Sequence, residues 1–157
     1  MKVLAIDPGN VYSAYVILNS KYEILAKGKI ENELLRAKIS NSSSQYNVVA
    51  IEMIASYGMS VGATVFETCV WIGRFMEAAM QKGKPVKRIV RMKVKMNLCH
   101  QAKAKDSNIT QALKDRFGEV GRKATPGFFF GFKADIWQAM ALGVTYLDML
   151  NRNEEME

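Results

Sequence analysis

The sequence has one histidine and two cysteines, Cys69 and Cys99, among 157 residues. Two thiols are too few for a disulfide scaffold, and the neighbouring Cys99 and His100 lack the ligand spacing of a zinc site. A lone histidine argues against nucleophilic catalysis of the His-centred triad type. No apolar run continues long enough to span a bilayer before a charge or a glycine interrupts it. No signal-peptide grammar opens the chain, so a cytoplasmic protein without membrane attachment is expected. Repeats, linkers and low-complexity tracts are missing too, and one domain over residues 1–157 is the expectation.

Acidic residues are scarce in one stretch. Residues 82–123 hold thirteen Lys or Arg against three acids (Asp106, Asp115 and Glu119), a net charge of +10. The whole chain carries +7, so everything outside that stretch nets −3. A concentrated basic region on an otherwise slightly acidic chain suits a polyanionic partner, nucleic acid first among them. Surfaces without such a partner usually mix the two signs.

Apolar residues make up 49% of the chain, enough for a sizeable core. KVLAID at 2–7 is apolar without helical period and is bounded by Pro8 and Gly9, which predicts a buried strand. Residues 13–19 and 22–30 follow across a short Ser20–Lys21 turn, predicting a three-stranded meander. Residues 31–40 have helical spacing. NVVAIE at 47–52 is again continuously apolar, as strands covered on both faces are. A long helix is predicted over 60–82, a fifth strand over 86–90, and a short helix and a loop over 91–105. Two further helices are expected at 107–117 and 134–151, the last of them apolar almost all round. Three strands followed by alternating helices and strands predict an α/β chain with a mixed sheet of about five strands and helices on both faces.

Two of the predicted strands end in a carboxylate, Asp7 and Glu52. If they lie parallel and adjacent, both acids emerge at the carboxyl edge, where open α/β sheets place their sites. A third acid, Asp135, opens the final helix, where acids also serve the helix dipole. Carboxylates gathered at one edge repel unless a cation intervenes, and hard oxygen ligands suit Mg²⁺ or Mn²⁺. Such a cluster beside a basic surface has the ingredients of two-ion phosphodiester hydrolysis.

The opening MKVLAIDPGNVYSAYVI, the strand VVAIE, the segment KDSNITQALKDRFG and the string GFKADIWQAMALGVTY together resemble the RuvC family of Holliday-junction resolvases, in its bacteriophage branch. The similarity runs from residue 1 to about 147. It implies an RNase H-like fold, a homodimer, branched four-way DNA as substrate, and Mg²⁺ or Mn²⁺, two ions per site, held by Asp7, Glu52 and Asp135. One departure stands out: the family usually has a further Asp three residues before the last, and that position here is Phe132. Water, Asp106 or a geometry involving Lys133 could take its place. The family's basic residues near the scissile phosphate fall in 91–105, where Lys95 and Lys105 match best. Lys105 is expected to act in catalysis, and Arg91, Lys93, Lys95 and Lys103 to bind DNA.

Trp71, Phe75 and Trp137 stand at helical spacing and read as core. Tyr57, between Ser56 and Gly58, lies where the family inserts a loop aromatic that opens the junction centre, and a stacking role is plausible there. Phe128, Phe129 and Phe130 cover the core or line a subunit interface. Two other functions compete with the nuclease. A sugar-kinase or actin-like ATPase also begins with an Asp-x-Gly turn but needs two lobes to clamp its nucleotide. A branched-DNA-binding protein of the same fold could have lost cleavage along with the acid at Phe132. An exonuclease or a hybrid-cutting RNase H would share the carboxylates and differ only in substrate.

Overall fold

The computed structural model describes residues 1–154. Its strands are β1 (Lys2–Asp7), β2 (Tyr12–Asn19), β3 (Ile24–Glu31), β4 (Val48–Met53) and β5 (Val86–Val90). Its helices are α1 (Asn32–Asn41), α2 (Ala63–Gln81), α3 (Arg91–Cys99), α4 (Asp106–Phe117) and α5 (Ile136–Asn151). The strands form one mixed sheet in the order β3-β2-β1-β4-β5. The meander β1–β2–β3 is antiparallel, whereas β1–β4 and β4–β5 are parallel. Among the described residues no helix is long and apolar enough to cross a membrane.

Strand pleating sends alternate side chains to opposite faces, and both faces of β1 and β4 are covered. Val3, Ala5, Ala14, Val16, Val48, Ala50 and Ile89 pack with α5 and with residues of α3 and α4. Leu4, Ile6, Tyr15, Ile17, Val49 and Ile51 pack with α1 and α2. That double covering is why the two strands read as unbroken apolar runs. Helix α5 approaches the sheet at Gly143, where an added Cβ would lie 2.9 Å from Leu18 Cδ1 and 3.2 Å from the Ala5 Cβ.

Trp71 and Phe75 are buried against the sheet with Ile72, as their helical spacing predicts, and the apolar surface α2 leaves exposed is Phe66, Val70 and Met80. Val65 and Met76 are half-buried. Of the three consecutive phenylalanines only Phe129 is fully buried; Phe128 stacks on Phe117 with centroids 5.3 Å apart. Phe132 is buried against Phe129 and Trp137 at centroid distances of 5.0 and 5.1 Å.

A polar knot ties three helices to the β2–β3 turn. Arg116 of α4 donates twice to Asp148 of α5, at 2.7 and 2.8 Å. The Tyr22 hydroxyl donates to the same carboxylate at 2.6 Å, and the Asn97 amide of α3 at 2.8 Å. Every acceptor site on this buried carboxylate faces a donor, as buried charge requires.

Candidate active site

Because β1 and β4 are parallel with Ile6 opposite Ile51, the next residues, Asp7 and Glu52, leave the sheet side by side at its carboxyl edge. Both lie on the α5 face, in pleat phase with Ala5 and Ala50. The neighbouring parallel strand β5 ends at Val90, and Arg91 follows it directly at the same edge.

The turn after Asp7 is held by side chains that sequence reading passed over. Gly9 is required there: a Cβ would meet the Tyr12 carbonyl oxygen at 2.2 Å. The Gly9 N–H donates to Ser13 Oγ at 3.0 Å, the Ser13 hydroxyl donates to Asn32 Oδ1 at 2.6 Å, and the Asn32 amide returns to the Gly9 carbonyl at 2.9 Å. Ser13 and Asn32 are buried, so this closed ring of hydrogen bonds fixes the direction in which Asp7 leaves its strand.

Burial, the charges of Glu52 and Asp135, and a hydrogen bond with Glu52 push the Asp7 carboxyl up to about 8, while Arg91 acts in the opposite sense. Glu52 is 14% exposed and takes the Arg91 guanidinium at 3.3 Å. The same guanidinium pairs with Asp106 and donates to Gln138 Oε1 at 2.9 Å. Asp106 thus meets the site through Arg91.

Asp135 stands at the N-cap position of α5, yet its side chain makes no capping hydrogen bond. Its Oδ2 instead accepts from Lys29 Nζ of β3 at 2.6 Å. A capping hydrogen bond therefore does not account for the orientation of this acid. Lys29 and Gln138 were missed in the sequence; the only signal for Lys29 was the alternation Lys27-Gly28-Lys29, which puts two lysines on one face of a strand.

Among the described residues no three His, Cys, Asp or Glu side chains close on one point, since Lys29 draws on Asp135 and Arg91 on Glu52. The donor chemistry at Asp7 and Glu52 nonetheless fits a hard divalent ion: two oxygen ligands share a shielded edge, and burial with the charges of Glu52 and Asp135 makes one of them keep its proton toward neutral pH.

The remaining candidates lie around this edge. Tyr57, in the loop between β4 and α2, has a left-handed backbone (φ 50°) and is 63% exposed. It borders a cleft of about 160 Å³ shared with Glu52 and Arg91. A larger cleft, about 480 Å³, also touches Tyr57 but is lined by Met92, Met96 and Met149 and contains none of the carboxylates of the candidate site. Lys93 and Lys95 are on α3, Lys103 is in the turn that follows, and Lys105 immediately precedes α4, where its N–H donates to Asn108 Oδ1 at 2.9 Å. Among the described residues these four ammonium groups form no salt bridge.

No protein-family model and no curated protein sequence matches the chain. The fold is similar to that of RuvC from Thermus thermophilus, with a TM-score of 0.77, 17% identity and 100% of each chain covered. It is equally similar to T. thermophilus RuvC in complex with a Holliday junction substrate, with a TM-score of 0.76, 16% identity, and 100% of this chain and 99% of that one covered. At this level of identity the likeness is one of fold, and the chain has the RNase H-like α/β architecture.

Proposed function

We propose that this chain is a metal-dependent endonuclease, a single nuclease domain acting in the cytoplasm, that resolves four-way DNA junctions. The observation carrying the reading is the in-register pair Asp7 and Glu52 at the carboxyl edge of adjacent parallel strands, beside a segment of net charge +10. The similar fold of a protein that binds a Holliday junction supports the choice of substrate. The strings KDSNITQALKDRFG and GFKADIWQAMALGVTY support placing it in the bacteriophage branch.

Asp7 and Glu52 would hold Mg²⁺ or Mn²⁺, with Asp135 at the far side of the site. When bound, the ion supplies an activated water and charge neutralisation at the scissile phosphate. Arg91 positions Glu52 from one side, and the Ser13–Asn32 ring positions Asp7 from the other. Lys93, Lys95 and Lys103 would bind phosphates along the strand, and Lys105 would reach the phosphate under attack. Tyr57 would stack on a base at the junction centre.

The direct test incubates the purified protein with a labelled four-way junction and Mg²⁺ or Mn²⁺, with linear duplex as the control. Paired nicks in the junction, with the duplex left whole, are expected. Tight junction binding without nicks under either ion would favour a DNA-binding protein that has lost cleavage. Binding is expected to weaken steeply with salt, with log K against log[salt] sloping by about −0.9 per phosphate neutralised. A nearly flat response between roughly 50 and 200 mM salt would mean that the basic segment faces away from DNA.

Two nicks in a substrate of approximate two-fold symmetry call for two carboxylate sites, and a C₂ homodimer is the simplest assembly that supplies them. The exposed stripe Phe66, Val70 and Met80 on α2 is the proposed contact. Sedimentation at micromolar concentration should show a dimer, and Phe66→Glu with Val70→Glu should give a monomer that nicks without resolving. A monomeric wild-type chain that makes both nicks at equal rates would refute the symmetric assembly.

A further inference from the structure

Resting on the nuclease reading above, we infer that Lys29 is a built-in cation of the site, standing where a second metal ion would otherwise be needed, so that the chain takes one divalent ion. Lys29 faces Ala14 across β2–β3, and Ala14 faces Asp7 across β1–β2. The three residues therefore share one rung of the sheet and, by the pleat, one face. Two strand spacings put the Lys29 backbone about 10 Å from that of Asp7, a gap that an extended lysine and an aspartate span between them. The residue between them is alanine, whose methyl leaves the space open. Register, and not a chance side-chain conformation, aims the ammonium at the site.

Its partner there is Asp135, 2.6 Å from Nζ. The ion pair withdraws Asp135 from shared ligation with Asp7 and Glu52. Among the described residues no donor replaces it nearby: Phe132, three residues earlier in the chain, is buried in an aromatic cluster with Lys27 5.6 Å above its ring. Asp106 is occupied by Arg91. Charge balance points the same way. With an ion bound and Asp7 ionised, Asp7, Glu52, Asp135 and Asp106 bring four negative charges, and one divalent ion with Lys29 and Arg91 brings four positive. A second divalent ion would have to displace the ammonium and would leave an excess of positive charge before phosphate arrived. With Lys29 retained, its charge is available to phosphate oxygens in the transition state, as preorganised cations are.

The test counts ions on the protein alone. Mn²⁺ is titrated into metal-free wild type, Lys29→Met and Lys29→Arg without DNA, and free Mn²⁺ is read by electron paramagnetic resonance. One Mn²⁺ per chain is expected for wild type and Lys29→Arg, and two for Lys29→Met, with the added site lost again in Lys29→Met/Asp135→Asn. Junction cleavage should rise with the first power of Mn²⁺ concentration in wild type. In Lys29→Met it should fall at least about 100-fold at low Mn²⁺ and recover with the second power. Lys29 is 40% exposed on its side chain, so none of these variants disturbs the core. Two ions on the wild-type chain, or Lys29→Met with unchanged count and rate, overturns the inference. The expected ion counts without cleavage of any junction would sink the nuclease reading while upholding the role of Lys29.

Discussion

Asp7→Asn is expected to abolish junction cleavage, leave junction binding intact and raise the stability of the metal-free protein. The loss of cleavage should reach about three orders of magnitude, the scale of removing a principal electrostatic contributor to a transition state. Binding survives because the lysines proposed to bind phosphate are untouched and a negative charge close to them has gone. The stability gain follows from linkage. Unfolded, this carboxyl loses its proton near 3.8; folded, it holds it up to about 8, chiefly through burial and the charge of Glu52. Between those values the folded state binds more protons, so wild-type stability falls as pH rises through the window. Asparagine carries no charge at any pH and escapes that fall. In EDTA the two proteins should therefore melt together at pH 3 and diverge above pH 4. The variant should melt roughly 5–10 °C higher at pH 8, an effect of a few kcal/mol in a chain of this size. Added Mg²⁺ should raise the melting temperature of wild type alone, because ligand binding stabilises only a protein that binds it. Parallel melting curves across pH, with the same Mg²⁺ response in both, would remove Asp7 from the site.

What could be read in advance and what could not divide along a physical line. Strands β1 and β4 declared themselves because both faces are covered, so their apolar runs have no polar alternation to confuse with a helix. Asp7 and Glu52 stood out as candidates for the same reason: each acid ends a strand built to be buried, and the two together are harder to explain by turns than either alone. Asp135 was legible as a helix opener, but not as an acid whose side chain ignores the helix. The remaining site residues depend on register and on long-range placement. Lys29 reaches Asp135 across 106 residues of sequence, through a rung that exists only once β2 and β3 have paired. Arg91 read as one more cation in a basic stretch. Its position directly after the strand that neighbours β4 makes it instead the guanidinium that holds Glu52, Asp106 and Gln138 together. Ser13 and Asn32 are ordinary polar residues in sequence, and only their mutual burial reveals that they brace the Asp7 turn. Phe132 was conspicuous as a missing acid; the aromatic packing of Phe129 and Trp137 shows what occupies the position.

Asp148 was invisible in the sequence for a related reason, and the effect of removing it should be among the largest in the molecule. An acid within a strongly apolar helix suggests a solvated edge, yet this one is buried and receives four hydrogen bonds from Arg116, Tyr22 and Asn97. Burial alone would raise its carboxyl, but the Arg116, Tyr22 and Asn97 hydrogen bonds outweigh it and hold the group below its usual value of 3.8. Asp148→Ala leaves the guanidinium, the phenol and the amide without their shared acceptor. Breaking a buried pair in this way costs about 3–5 kcal/mol, or a melting temperature lower by roughly 10 °C in a chain of this length. Tyr22→Phe removes one bond and should cost only about 1 kcal/mol. Because the folded-state carboxyl is depressed, the knot stabilises fully above about pH 4 and fades as pH falls through the folded value, so the gap between wild type and Asp148→Ala should narrow in acid. The loss should also reach function. Asn97 ties α3 to this carboxylate, and α3 begins with Arg91 and carries Lys93 and Lys95, so loosening it should weaken both the grip on Glu52 and the surface proposed to bind phosphate. Arg116→Met/Asp148→Leu, which replaces the pair with apolar groups of similar size, should recover much of the melting temperature while Asn97 stays unanchored. Restored stability with junction affinity still reduced is the expected result; full recovery of both would separate the knot from the DNA-binding face.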